Sequence, residues 1–241
     1  MKFNIKLLFI FLIIFNLLNY GTIVEGNTTK TAIVSLENGK LNVRNGAGAK
    51  YKIIGTLKNG TKVKIYSQTE EWAEIRYKKK TAYISNKYLI FPLKISIKSV
   101  SKIIDNINEI QYSAFEKGNT KKDIYKIMKP NHTKPYIDKF FKDYFYVIGK
   151  DRNGNNTYRK KPTEIESNML PHFDWYLSLD YSSAKTKPKI SYYEKQGTIY
   201  LTISQYFSDS GMIGKRTKYA FLYNKDSNWI VYDAYDKIHG Y

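Results

Sequence analysis

Cysteine is absent from the 241 residues, so a thiolate nucleophile, a thiolate metal site, a disulfide and a cysteine lipid anchor are all excluded. The three histidines, His132, His172 and His239, stand far apart, with no His-x-x-x-His spacing among them. The clustered imidazoles and carboxylates of a zinc amidase or peptidase are therefore missing from the pattern, and each histidine reads as a surface or packing residue. No Gly-x-Ser-x-Gly elbow presents a serine. A carboxylate pair brought together by folding stays open, because any two acids can meet in a folded chain. The residue types argue for recognition without metal, cofactor or catalytic group.

One stretch suits recognition of a partner. From Pro162 to Ala184 there is no Lys or Arg, while Glu164, Glu166, Asp174 and Asp180 stand beside Phe173, Trp175, Tyr176 and Tyr181. On a strongly basic chain, an acidic aromatic loop can dock into a complementary groove, with Glu164, Glu166, Asp174 and Trp175 as its contact residues. A solvated loop with Trp175 tucked into the core is the plainer alternative.

The elements that position such residues form two sets. Between Thr31 and Phe91, short alternating runs are punctuated by glycine: Leu41 and Val43, then Gly46 and Gly48; Ile54 and Leu57, then Asn59-Gly60; Val63 and Ile65; Trp72 and Ile75; Ala82 and Ile84. Short strands at near-regular spacing predict a small antiparallel barrel, in which nearly every inward residue must be apolar.

The run Gly39-Lys40-Leu41-Asn42-Val43-Arg44-Asn45-Gly46-Ala47-Gly48, followed by Tyr51, Ile54-Gly55, Leu57, Gly60, Val63, Trp72, Ile75, Ala82-Tyr83-Ile84 and Tyr88-Leu89, resembles the bacterial SH3 (SH3b) domain over residues 31–91. It departs from that pattern at Asn45 to Ala49, where small and glycine residues replace a Ser-Pro-Ser-Thr-like turn. The resemblance implies a unit that binds peptidoglycan, often its peptide stems or cross-bridges. Within it, Tyr51, Trp72 and Tyr83 can supply flat surfaces for peptide or sugar, and Asn42 and Arg44 can bond carboxylates and amides. Packing gives the same residues other roles: Trp72 in the core, and Arg44 as a brace for the turn after Val43.

The second set begins after a joining stretch, Ser96 to Ser101. Val100, Ile103, Ile104, Ile107, Ile110 and Ala114 repeat at helical spacing up to Gly118. Thr120 caps a short helix with Asp123 in its first turn, and Pro130 ends it. A third helix is expected from Pro135 through Phe145 to Gly149, before a turn at Asp151 to Asn155. Ile199, Leu201 and Ile203 then alternate with Tyr200, Thr202 and Ser204. Strands at Arg216–Tyr223 and Trp229–Tyr235 follow, separated by a turn. Helices followed by an antiparallel meander predict an α+β domain, cystatin-like or NTF2-like. This order, with Glu116-Lys117-Gly118, Ile124-Tyr125, Tyr136 to Phe141, Met169-Leu170-Pro171, Ile199 to Leu201 and Trp229 to Val231, is similar to the exported IseA-type DL-endopeptidase inhibitors and a related uncharacterised family. That similarity implies an inhibitor of NlpC-type wall peptidases.

Lys2 and Lys6, an apolar run from Leu7 to Leu18 broken by Asn16, and Val24-Glu25-Gly26 form a secretory signal pattern, too short for a comfortable membrane span. An uncleaved anchor is the alternative. The expected organisation is a signal peptide at 1–26, an SH3b barrel at 27–95 and an α+β domain at 96–241. Forty Lys and Arg against 21 Asp and Glu give +19. Loss of Lys2, Lys6 and Glu25 with the leader removes one positive charge and leaves +18. In the cytosol such charge suggests nucleic acid. Outside the cell it suggests wall teichoic acids and anionic lipid heads. The expectation is an exported, wall-associated, non-catalytic protein that binds peptidoglycan and anionic wall polymers, with a cell-wall endopeptidase as its partner and no nucleic acid. A wall hydrolase of unrecognised type, or an exported adhesin or effector, is the alternative.

Overall fold

The computed structural model describes residues 29–117, 120–161, 186–207 and 216–239. Eight strands build the first module: β1 (Lys30–Val34), β2 (Lys40–Arg44), β3 (Ile53–Lys58), β4 (Lys62–Ile65), β5 (Ser67–Gln68), β6 (Trp72–Tyr77), β7 (Lys80–Ser85) and β8 (Leu89–Pro92). Period-two alternation sorts their side chains. Leu41 and Val43, Ala73 and Ile75, and Ala82 and Ile84 point inward, and each is less than 5 % exposed. With Ala32, Val34, Ile65 and Leu89 they form one buried cluster. Five strands make a sheet in the order β3-β2-β7-β6-β5, while β4 and β8 flank β1 in a second sheet.

Three helices follow: α1 (Ile97–Lys117), α2 (Lys121–Met128) and α3 (Lys134–Tyr144). The joining stretch expected at Ser96 to Ser101 is instead the first turn of α1, because the Ser96 hydroxyl accepts the Ser99 N–H at 3.0 Å and starts the helix there. Val100, Ile104, Ile107, Gln111 and Ala114 are buried at helical spacing. Thr120 and Asp123 form a reciprocal capping box on α2.

Helix α3 stops five residues before the expected Gly149. Phe145–Lys150 is a strand, β9, paired with β10 (Asn156–Lys160). Val147 and Ile148 favour extended backbone, and the Asp151 carboxylate closes the turn by accepting the Asn153 and Asn155 N–H groups. Phe145 still reaches the core, stacked 5.5 Å from both Phe115 and Phe141.

Strands β11 (Lys189–Lys195), β12 (Thr198–Phe207), β13 (Arg216–Lys225) and β14 (Asn228–Ile238) form an antiparallel meander. Leu201, Ile203, Ala220, Leu222, Val231 and Ala234 join residues of the three helices in a second buried cluster. Residues 131–133 lie along the outer edge of β14: Val231 N–H donates to Asn131, and Thr133 N–H donates back to Val231, each at 2.9 Å. This covers an edge that would otherwise present unpaired backbone. Strand β11 also pairs with β8, through Tyr193↔Pro92 and Glu194↔Phe91, so one seven-stranded sheet runs β14-β13-β12-β11-β8-β1-β4 through both modules.

Candidate ligand-binding face

The outward residues of β2, β7 and β6 meet in two rows. Arg44 is the register partner of Tyr83, and Tyr83 of Glu74. One step along the strands, Trp72 pairs with Ser85, and the antiparallel register sets Asn42 level with both. Strand spacing makes this a patch about 10 Å across three strands. Asn42 is exposed; Arg44, Trp72, Glu74 and Tyr83 are half-buried. Trp72 lies on this outer face, while the neighbouring Ala73 and Ile75 fill the core.

Tyr51 reaches the same region from the loop after β2. The Arg44 guanidinium donates to its carbonyl oxygen at 2.7 Å, so Arg44 does brace the turn. A guanidinium carries five donors, and one brace leaves others for a ligand. The small residues between Asn45 and Ala49 have a physical cause. A Cβ on Gly46 would sit 2.4 Å from the Tyr51 ring, and one on Gly48 would sit 3.2 Å from it. The ring therefore packs closely against the loop backbone at both glycines, with 42 % of the residue exposed.

Glu74 was not anticipated at this face, although its place two residues after Trp72 on one strand carries the signal. Its carboxyl is held below the usual range, first by a hydrogen bond from Arg76 and also by one from Ser67. It stays ionised beside Tyr83 and balances part of the local positive charge.

His132 is buried within the second module. Its Nδ1–H donates to the Met128 carbonyl at 3.0 Å, its Nε2 accepts from Gln111 at 2.9 Å, and its ring stacks on Tyr136. Burial pushes its pKa down to about 4, against a smaller upward pull from the Met128 carbonyl. It is a neutral packing histidine. His239 meets the Thr217 hydroxyl at 2.8 Å. Among the described residues no three His, Asp or Glu side chains converge as metal ligands, and no helix is long and apolar enough to cross a membrane. His172 and the partner-loop residues Glu164, Glu166, Asp174 and Trp175 lie outside the described residues.

Comparison with curated proteins finds no match to the chain. The Leu-Asn-Val-Arg strand, the glycine-seated Tyr51 loop and the strands that carry Trp72 and Tyr83 all fall within residues 39–90, which match the family model of the bacterial SH3 domain. That part of the chain is a bacterial SH3 domain.

Proposed function

We propose that this protein is exported, associates with the cell wall and binds peptidoglycan through its SH3 domain, without catalysing a reaction. The patch that joins Arg44, Tyr83, Trp72 and Asn42 to the seated ring of Tyr51 carries this reading. Arg44 and Asn42 suit the carboxylates and amides of stem peptides, and the three rings suit their apolar and sugar portions. Tyr51 is fixed before ligand arrives, which lowers the ordering cost of binding. The net charge of +19 adds a salt-sensitive attraction to anionic wall polymers. The lack of cysteine and the dispersal of His132 and His239 to separate packing roles support a non-catalytic protein.

The finer part of the proposal gives residues 96–241 a regulatory role towards a cell-wall DL-endopeptidase. Its support is the order of three helices, a β-hairpin and an antiparallel meander, which is consistent with the α+β domain expected of such an inhibitor. Adding the chain to an NlpC-type endopeptidase should slow hydrolysis of wall peptide without cleavage of the chain. An unchanged rate across several such enzymes removes this part and leaves wall binding standing.

Sedimentation with sacculi tests wall binding. The chain from Asn27 onward should co-sediment with teichoic-acid-free sacculi at about 1 M salt, where the screening length is about 3 Å. Trp72→Ala and Tyr51→Ala should each weaken retention about tenfold with unchanged circular dichroism. Retention that vanishes with salt reduces the interaction to charge alone. A lytic band on a zymogram makes the protein a wall hydrolase instead.

A further inference from the structure

The face of the C-terminal sheet opposite the helices is tyrosine-rich. Tyr193, Tyr200, Tyr223 and Tyr232 supply one ring from each of β11 to β14, with successive centroids 5.5, 6.4 and 6.0 Å apart. Phe221 and Tyr235 extend this row: Phe221 lies 5.9 Å from Tyr232 and 5.8 Å from Tyr235. Tyr232 is 37 % exposed and Tyr235 38 % exposed, and the other four rings are half-buried. Successive ring planes are inclined by 15°, 51° and 39° along the row, so the surface is a ribbed run of aromatic rings carrying phenol hydroxyls. Sugar rings present the matching chemistry, an apolar C–H face rimmed by hydroxyls. Burial, and then the neighbouring phenols of Tyr193 and Tyr200, push the Tyr232 phenol up to about 12, so it remains a neutral donor.

Tyr223 also lines a cavity of about 550 Å³ at the hairpin end of the sheet, whose other walls are Tyr125 and Ile137 of the helices together with Lys129, Thr133, Lys134, Lys225 and Asp226. Three ammonium groups face one carboxylate. Lys134 is paired with Asp138 at 2.7 Å, whereas Lys129 and Lys225 pair with no carboxylate among the described residues. The Thr133 hydroxyl is shielded from solvent and has no hydrogen-bond partner. The balance favours an anion at this end.

We propose that the tyrosine row and the cavity at Tyr223 form a second binding site, for a glycan whose sugars carry carboxylates. The source of that glycan rests on the wall-binding reading: β11 pairs with β8 of the first module, so the row begins beside the strand that closes the barrel.

The test titrates the chain from Asn27 onward with peptidoglycan glycan strands stripped of their stem peptides, which keep a carboxylate on each muramic acid. The strands should bind, and Tyr200→Ala and Lys225→Glu should each weaken them about tenfold. Lys225 is exposed beside a hairpin turn, so this variant should keep its fold, which circular dichroism checks. Released stem peptides probe the SH3 domain separately, and their binding should survive Lys225→Glu whether or not the glycan site exists. Equal affinity of wild type and both variants for the strands overturns the site. So does equal binding of a neutral N-acetylglucosamine oligomer, or binding of teichoic acid in place of the strands.

Discussion

The two buried clusters differ in what they tolerate. The first, under the SH3 domain, is aliphatic throughout, from Ala32 to Leu89, and no polar side chain among the described residues is buried in it. The second stacks Phe115, Phe140 and Phe145 and encloses the hydrogen-bonded set Gln111, His132 and Tyr136. A barrel of some sixty residues has little interior to give up to polar groups, so its polar chemistry sits outside, on Arg44, Glu74 and Asn42. The larger module can enclose a polar network, but a buried network is costly when its protonation changes. The first module should therefore be little affected by acid, and the second vulnerable to it.

Three perturbations sharpen this contrast, in falling order of their effect on stability. Phe140 is 2 % exposed and lies within 5.1 Å of Phe115, ring centre to ring centre. Phe140→Ala should destabilise the second module by about 3–5 kcal/mol in denaturant melts, with amide exchange in β2, β6 and β7 much less affected than in α1 to α3. Equal loss in both modules would show that the shared sheet folds them as one unit.

The second perturbation is acid. The His132 pKa falls from 6.5 in the unfolded chain to about 4 in the fold. Below pH 6.5 the unfolded chain takes up a proton that the folded chain refuses. Stability is therefore lost as pH falls from 6.5 towards 4, by about 3 kcal/mol at the lower end. His132→Leu should be less stable at pH 7, and its melts should lose this part of the pH slope. A variant that keeps the full slope would place the acid sensitivity elsewhere.

The third is Gly46→Ala, which displaces the Tyr51 ring from the loop. It should shift the midpoint of unfolding little, because Tyr51 is a surface residue, and yet weaken retention on sacculi severalfold. Unchanged retention would remove Tyr51 from the binding face.

How much of this was legible in the sequence differs between the modules for a physical reason. In the barrel, Leu41-Asn42-Val43-Arg44 and Trp72 to Ile75 alternate with period two, and glycines mark the turns, so local pattern already sorts inside from outside. The purpose of Gly46 was hidden, because it depends on a ring five residues away folding back over the loop. In the second module, Tyr136, Phe140, Phe141, Tyr144 and Phe145 keep helical spacing through the true end of α3. There the β-branched pair Val147-Ile148 and the Asp151 turn outweigh that periodicity. The alternation of Ile199 to Ser204 disclosed one half-buried strand. Its tyrosine neighbours across the sheet, and the pairing of β8 with β11, depend on registers between distant segments that no local pattern encodes.

The central claim is that the Arg44–Tyr83–Trp72 face and Tyr51 receive a peptidoglycan fragment. The most direct measurement is a titration of the isotopically labelled chain with a soluble muropeptide, followed by backbone and side-chain resonances. Shifts should concentrate on Asn42, Arg44, Tyr51, the indole N–H of Trp72, and Tyr83, while β1 and β4 stay still. Saturable shifts elsewhere on the barrel, or none at millimolar ligand, would contradict the account.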